Sequence, residues 1–164
     1  MKKVLWPIVP LLAIIAVRAA DQPALKEGYW SIHTVSTNQP GNQKTEGNQT
    51  ICRSYEYDQH AREAAKKNAA KTCKTISETT SGSTTITESE CTMAGSVLHS
   101  KATVTAAGDT AVHSEIHTTN TPAMYGVSES TMIMDQKYIG ACPAGVEPGD
   151  ILGADGKKMS SWKH

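Results

Sequence analysis

The chain has 164 residues with sixteen Lys and Arg, sixteen Asp and Glu, and no Phe. An apolar run from Val4 to Val17 follows Lys2 and Lys3, which is typical of an export signal. Loss of residues 1–19 leaves thirteen basic against sixteen acidic residues, so the net charge becomes −3. A mildly acidic chain without a dense basic stripe is a poor candidate for binding nucleic acid or an anionic lipid surface.

The N-terminal apolar segment sets the predicted domain organisation. Val17 and Ala19 are small residues in the positions that a signal cleavage site requires, so we expect a signal peptide over residues 1–19. Its apolar run is short and interrupted by Pro7 and Pro10, which argues against a stable membrane anchor. Residues 20–142 are predicted to form a single domain, and the Gly- and Pro-rich residues 143–164 a flexible tail.

Four cysteines follow the signal, and an even number in an exported domain predicts two disulfides. No two of them have the short spacing of a zinc site or of a redox Cys-x-x-Cys motif. Residues 73–91 are nearly palindromic about Gly82, so a hairpin there places Cys73 opposite Cys91. Elimination then pairs Cys52 with Cys142.

The first half of the domain contains the predicted helix. Residues 28–37 alternate as a strand does, residues 38–48 are a polar loop rich in turn formers, and residues 49–53 form a short second strand. Residues 58–71 are rich in helix formers, with acids early and lysines late. The apolar stripe of this helix is made of alanines, namely Ala61, Ala64, Ala65 and Ala69.

The second half consists of predicted antiparallel strands. After the 73–91 hairpin, residues 97–105 and 110–118 form another, with a turn at residues 107–109 that pairs Val104 with Val112 on the inward face and His99 with His117 on the outward face. A final strand covers about residues 125–139. We therefore expect a mainly β (α+β) fold, a curved antiparallel meander or half-open barrel of about six or seven strands with one helix inserted after the second strand.

A histidine cluster is the sharpest candidate for metal chemistry. The same hairpin places His99, His113, Glu115 and His117 on one strand face, and imidazoles with a carboxylate could hold Zn²⁺ or Cu²⁺. Residues two apart on a strand are about 7 Å apart, however, so one ion cannot easily take both His113 and His117. A solvated outer face is favoured, and we expect no metal and no cofactor.

Several short segments resemble a bacterial exported family known as domain of unknown function 3617. They are residues 26–30 (KEGYW), residues 49–52 (QTIC), the 73–91 hairpin and residues 138–142 (YIGAC). The similarity covers about residues 25–142 and implies a location in a Gram-negative periplasm. It names no activity, substrate or site residue.

Two features of the sequence carry the functional prediction: the absence of catalytic motifs and the curvature of the predicted sheet. The chain carries no Gly-x-Ser-x-Gly nucleophile motif and no glycine-rich phosphate loop, so we do not expect an enzyme. The predicted sheet has a hollow side, and we expect a non-catalytic periplasmic module that binds a small apolar or amphipathic ligand there, or another envelope protein. The alternative is an envelope metal-binding protein that uses the histidine cluster.

Overall fold

One nine-stranded antiparallel sheet and one helix make up residues 24–161, the part of the chain that the computed structural model describes. The predicted signal peptide lies outside the described residues. In chain order the elements are β1 Gly28–Gln39, β2 Gln43–Arg53, α1 Tyr55–Ala69, β3 Cys73–Ser81, β4 Thr84–Met93, β5 Ser96–Ala107, β6 Ala111–Met124, β7 Val127–Gly140, β8 Ile151–Gly153 and β9 Lys158–Ser160.

The strands lie in the order β3-β4-β5-β6-β7-β1-β2-β8-β9. Five consecutive strands, β3 to β7, form a meander. Strand β7 then pairs with β1, which brings the two ends of residues 25–142 together. The predicted mainly β fold with a helix after the second strand is confirmed, as an open sheet with nine strands. Among the described residues no helix is long and apolar enough to span a membrane.

The β3–β4 hairpin explains the near-palindrome in the sequence. Its turn contains two residues, Gly82 and Ser83, and Gly82 has a φ of 58°, which glycine adopts without strain. A two-residue turn would offset the two cysteines by one position, but Ile76 forms a bulge that restores the register. Cys73 therefore lies opposite Cys91, and the disulfide between them forms as predicted.

The second strand is longer than predicted. Residues 43–48 belong to β2 and pair with the second half of β1, so the predicted polar loop over residues 38–48 is wrong for most of its length. These residues are exposed, because nothing in the described chain pairs with this half of β2 on its other side. Backbone pairing with β1 decides their structure here, and their low strand propensity is overridden.

The β5–β6 hairpin has the predicted faces but a different register. Its three-residue loop is 108–110 instead of 107–109, which shifts the pairing by two positions. Val112 lies opposite Ala106 instead of Val104, and His99 lies opposite Thr119 instead of His117. A shift of two keeps each side chain on the same side of the sheet, so the predicted division into faces survives.

The buried core is small and is centred on Trp30, which is completely buried. Ile32 and Ile51 are the other buried members of this cluster. The indole Nε1 donates to the carbonyl oxygen of Lys26 at 2.9 Å, and the ring meets Tyr138 edge to face. This cluster lies where β1 pairs with β2 and β7, so the first strand is the centre of the fold.

The C-terminal segment differs from the predicted flexible tail. It contains β8 and β9, and β8 pairs with residues 49–51 of β2. Before β8 the chain makes two backbone hydrogen bonds with Cys52, from Gly149 N–H to the Cys52 oxygen at 2.8 Å and from Cys52 N–H to the Asp150 oxygen at 3.2 Å. The Cys52–Cys142 disulfide brings this segment beside β2, which local composition cannot reveal.

Candidate functional site

Helix α1 crosses one face of the sheet. It leaves the end of β2 and leads to β3, and these strands are separated by six strand spacings, or about 29 Å. A helix of fifteen residues is about 22 Å long, so it covers most of that distance. The face beneath the helix, here called the inner face, includes Ile32, Val112 and Gln136, and the opposite one is the outer face.

Local capping fixes where the helix begins. Ser54 is the N-cap, and its hydroxyl accepts from the Tyr57 N–H at 3.2 Å. The Glu27 carboxylate accepts from the Tyr55 N–H at 2.7 Å, which ties the first turn to the residue before β1. Acids in the first turn and lysines in the last complement the helix dipole. The predicted helix is therefore confirmed, beginning three residues earlier.

A cavity of about 410 Å³ lies between this helix and the inner face. Ala61 and Ala65 of the helix line it, but every residue from Gln59 to Ala70 is exposed. Methyl groups are too short to fill the space between the two elements. A volume in the range of about 300–1,000 Å³ is typical of small-molecule sites.

The walls of the cavity are mainly aliphatic. Side chains from four strands and from the segment before β1 form the apolar wall opposite the helix, namely Leu25, Ile32, Ile51, Val104, Ala106 and Val112. Six polar side chains also line the cavity, and they come from β2, α1, β6 and β7: Arg53, Tyr57, Asp58, Arg62, Ser114 and Gln136. An apolar surface with a few convergent polar groups favours binding of an apolar or amphipathic molecule.

Arg53 is the central polar group of the cavity. Its Nε donates to both carboxylate oxygens of Asp58, at 3.0 and 3.3 Å, and its Nη1 donates to Gln136 Oε1 at 2.9 Å. The guanidinium carbon also lies 5.3 Å from the centre of the Trp30 ring, within the range of a cation–π contact. Three neighbours thus hold one planar cation in a single orientation.

Tyr57 lines the same cavity beside this ion pair. Burial raises the pKa of its phenol above the ordinary value, the Arg53 charge lowers that pKa, and the Asp58 charge raises it. Because the net direction is upward, the phenol is neutral at physiological pH. It contributes a neutral hydroxyl and an apolar ring to the site.

The predicted metal residues lie on the outer face and do not converge. The three histidines approach carboxylates of neighbouring strands in separate pairs: His113 with Asp135 at 2.7 Å, His117 with Glu129 at 3.6 Å and His99 with Glu90 at 3.6 Å. Glu115 lies opposite Thr103 and Ile133. Within residues 24–161, no group of three His, Cys, Asp or Glu side chains is placed to hold a metal ion.

Sequence reasoning missed the residues that define the cavity. Gln136 is 83 positions from Arg53, and Arg53 and Asp58 lie on either side of the β2–α1 junction, but none of the three belongs to a motif. The position of Asp58 at the start of a helix predicts only a favourable interaction with the helix dipole. The only sequence signal of an unfilled space is the alanine stripe, since a helix with small residues on its inner side can bury little area.

A family model described as "Protein of unknown function (DUF3617)" matches residues 25–142. The match begins at Leu25, the first residue of the cavity wall, and ends at Cys142, so it covers the whole site and both disulfides. The strands β8 and β9 lie beyond it. A search of curated proteins finds no match.

Proposed function

This chain belongs to the DUF3617 family of proteins of unknown function, and we propose that it is a non-catalytic binding module. Its ligand is a small apolar or amphipathic molecule held between α1 and the inner face of the sheet. The cavity between these elements is the observation that carries the proposal.

The exposed alanines of α1 give the physical reason for ligand binding. The inner alanines of this helix remain exposed although they point toward an aliphatic wall, so apolar surface on both sides faces a gap. A ligand that fills the gap removes both surfaces from water, at about 25 cal/mol for each Å² of apolar area. A bound ligand supplies this free energy, because the alanine side chains of the helix are too short to reach the wall.

We also propose that the protein works in the periplasm after signal removal, and its two disulfides support this location. Disulfides form and persist in oxidising compartments, and both bridges close within the described residues. A small core beneath a ligand cavity gains stability from such crosslinks. In this view the bridges serve the fold and have no redox role.

The test is a native mass measurement of protein exported to a bacterial periplasm, before and after extraction with organic solvent. We expect a co-purifying small molecule that extraction removes, and we expect the extracted protein to bind the neutral fluorescent probe N-phenyl-1-naphthylamine. Substitution of Ala65, which lines the cavity, by Phe should abolish both signals because the ring fills the gap.

The matched control is the neighbouring residue of the same helix. Ala64 is exposed and does not line the cavity, so Ala64→Phe should leave ligand and probe binding unchanged. Loss of binding in both variants to the same degree, or a protein that holds neither ligand nor probe, would overturn the proposed function.

A further inference from the structure

Charge in the cavity indicates the chemistry of its ligand. We propose that the ligand is a single-chain amphiphile whose anionic head is bound by Arg62 and Arg53 and whose apolar chain lies along the aliphatic wall. This inference rests on the proposed function and names its ligand class.

The charged groups of the cavity do not balance. Two arginines, Arg53 and Arg62, line it together with one carboxylate, Asp58. Asp58 is paired with Arg53 at 3.0 Å, while Arg62 forms no ion pair with an acid among residues 24–161. The site therefore carries one uncompensated positive charge next to an apolar surface. An anion attached to an apolar chain complements both features.

Arg53 provides oriented hydrogen-bond donors for the same head. Its hydrogen bonds use Nε and Nη1, and its Nη2 donates to no acceptor within the described chain. The guanidinium is already held by Asp58, Gln136 and the Trp30 ring, so a head group that binds it does not have to order the side chain. The planar fork of an arginine matches the oxygens of a carboxylate or a phosphate.

The volume of the cavity favours a ligand with a single acyl or alkyl chain. This volume of about 410 Å³ lies near the lower end of the range for small-molecule sites. The aliphatic side chains that the sheet contributes come from β2, β1, β6 and β5, while β7, which lies between β1 and β6, contributes Gln136. We expect a single acyl or alkyl chain to lie on this surface, with its charged end at Arg62, which lines the cavity from the helix.

The experiment uses the delipidated full mature protein and measures displacement of N-phenyl-1-naphthylamine by three ligands of equal chain length. Dodecanoate and dodecyl phosphate should each bind about tenfold tighter than dodecanol. The ratio of the dodecanoate affinity to the dodecyl phosphate affinity then shows whether the site prefers a carboxylate or a phosphate head. Affinity should rise about threefold to fourfold for each CH₂ from octanoate to dodecanoate, because each methylene becomes buried.

Arg62→Gln should reduce the preference for dodecanoate over dodecanol from about tenfold to about threefold, since Arg53 still binds the head. Lys66→Gln is the matched control, since Lys66 is an exposed cation of the same helix that does not line the cavity. Equal affinity for dodecanoate and dodecanol, or equal effects of the two substitutions, would overturn this inference while the proposed function stands. Failure of the unmodified protein to bind the probe and all three ligands would overturn both.

Discussion

The Arg53 Nε atom lies 3.0 Å from one carboxylate oxygen of Asp58 and 3.3 Å from the other. Arg53 is the last residue of β2, and Asp58 is in the first turn of α1, so this ion pair fixes the angle at which the helix leaves the sheet. The two side chains are only 17% and 10% exposed. Water therefore screens the pair little, and both residues line the cavity.

Asp58→Asn should lower the free energy of unfolding by about 3 kcal/mol, because it leaves a largely buried guanidinium without its counter-charge. Urea denaturation followed by circular dichroism measures this loss. The control is Glu63→Gln on the exposed part of the same helix, which should change stability by less than about 0.5 kcal/mol. Equal effects would mean that the ion pair does not hold the helix in place.

Asp150 anchors the C-terminal segment through its carboxylate. Oδ2 accepts from Lys158 Nζ at 2.6 Å and from the Glu147 N–H at 2.8 Å, and the residue is buried. Two hydrogen bonds hold the pKa of Asp150 below its ordinary value of 3.8. The one from Lys158 has the larger effect, and the one from the Glu147 N–H has the next largest. A lowered pKa in the folded state stabilises the protein above that ordinary value, and this contribution disappears as the pH falls through the lowered pKa.

We therefore expect β8 and β9 to lose protection from hydrogen exchange below about pH 4, before the central strands do. Asp150→Asn should remove most of this protection at neutral pH as well. Glu147→Gln should not, because the Glu147 backbone makes the contact. Amide exchange read by mass spectrometry gives the result, and unchanged protection of residues 151–153 in Asp150→Asn would contradict the anchoring role.

Gly28 begins β1 at a point where no side chain fits. Its φ is 132°, and an added Cβ would lie 2.5 Å from the Gly140 oxygen and 2.8 Å from a ring carbon of Tyr138. Gly28→Ala should cost about 3 kcal/mol or more, since backbone strain and a clash with backbone act together. Thermal unfolding of this variant compared with Gly47→Ala provides the measurement.

The comparison is direct because Gly47 lies in the next strand with no heavy atom within 4 Å of a built Cβ. Alanine there should be neutral or stabilising by about 0.5–1 kcal/mol, because it restricts the unfolded chain. A similar loss in both variants would show that glycine is needed for reasons other than the close approach to β7.

The two disulfides should differ in their contribution to stability. Cys52–Cys142 joins residues 90 apart and Cys73–Cys91 residues 18 apart. Loop-closure entropy then gives about 4.6 kcal/mol for the first and about 3.2 kcal/mol for the second. Replacing each pair by alanines and measuring urea denaturation tests the order. A non-reducing peptide map tests the pairing itself, and fragments that link Cys52 to Cys73 would contradict the strand order.

Sequence reasoning succeeded where the signal is local. Alternation placed Val104 and Val112 on the inner face and the histidines on the outer one, since side chains of a strand point to opposite sides in turn. The palindrome about Gly82 gave the Cys73–Cys91 pair. It could not give the bulge at Ile76 or the two-position shift of the next hairpin, because register depends on turn geometry and on neighbouring strands.

The chain by itself determined the helix, the hairpins from β3 to β6 and their faces, because backbone propensity and side-chain alternation act between residues close in sequence. The Cys73–Cys91 pair followed from the hairpin, and Cys52–Cys142 followed by elimination. Only the tertiary structure decided that Arg53, Asp58 and Gln136 meet beneath α1, because these contacts join residues up to 83 positions apart. It also decided that residues 151–160 extend the sheet, since β8 pairs with residues 49–51 of β2, which are far away in the sequence. A cavity is the space that such long-range contacts leave between elements, and so no local pattern encodes it.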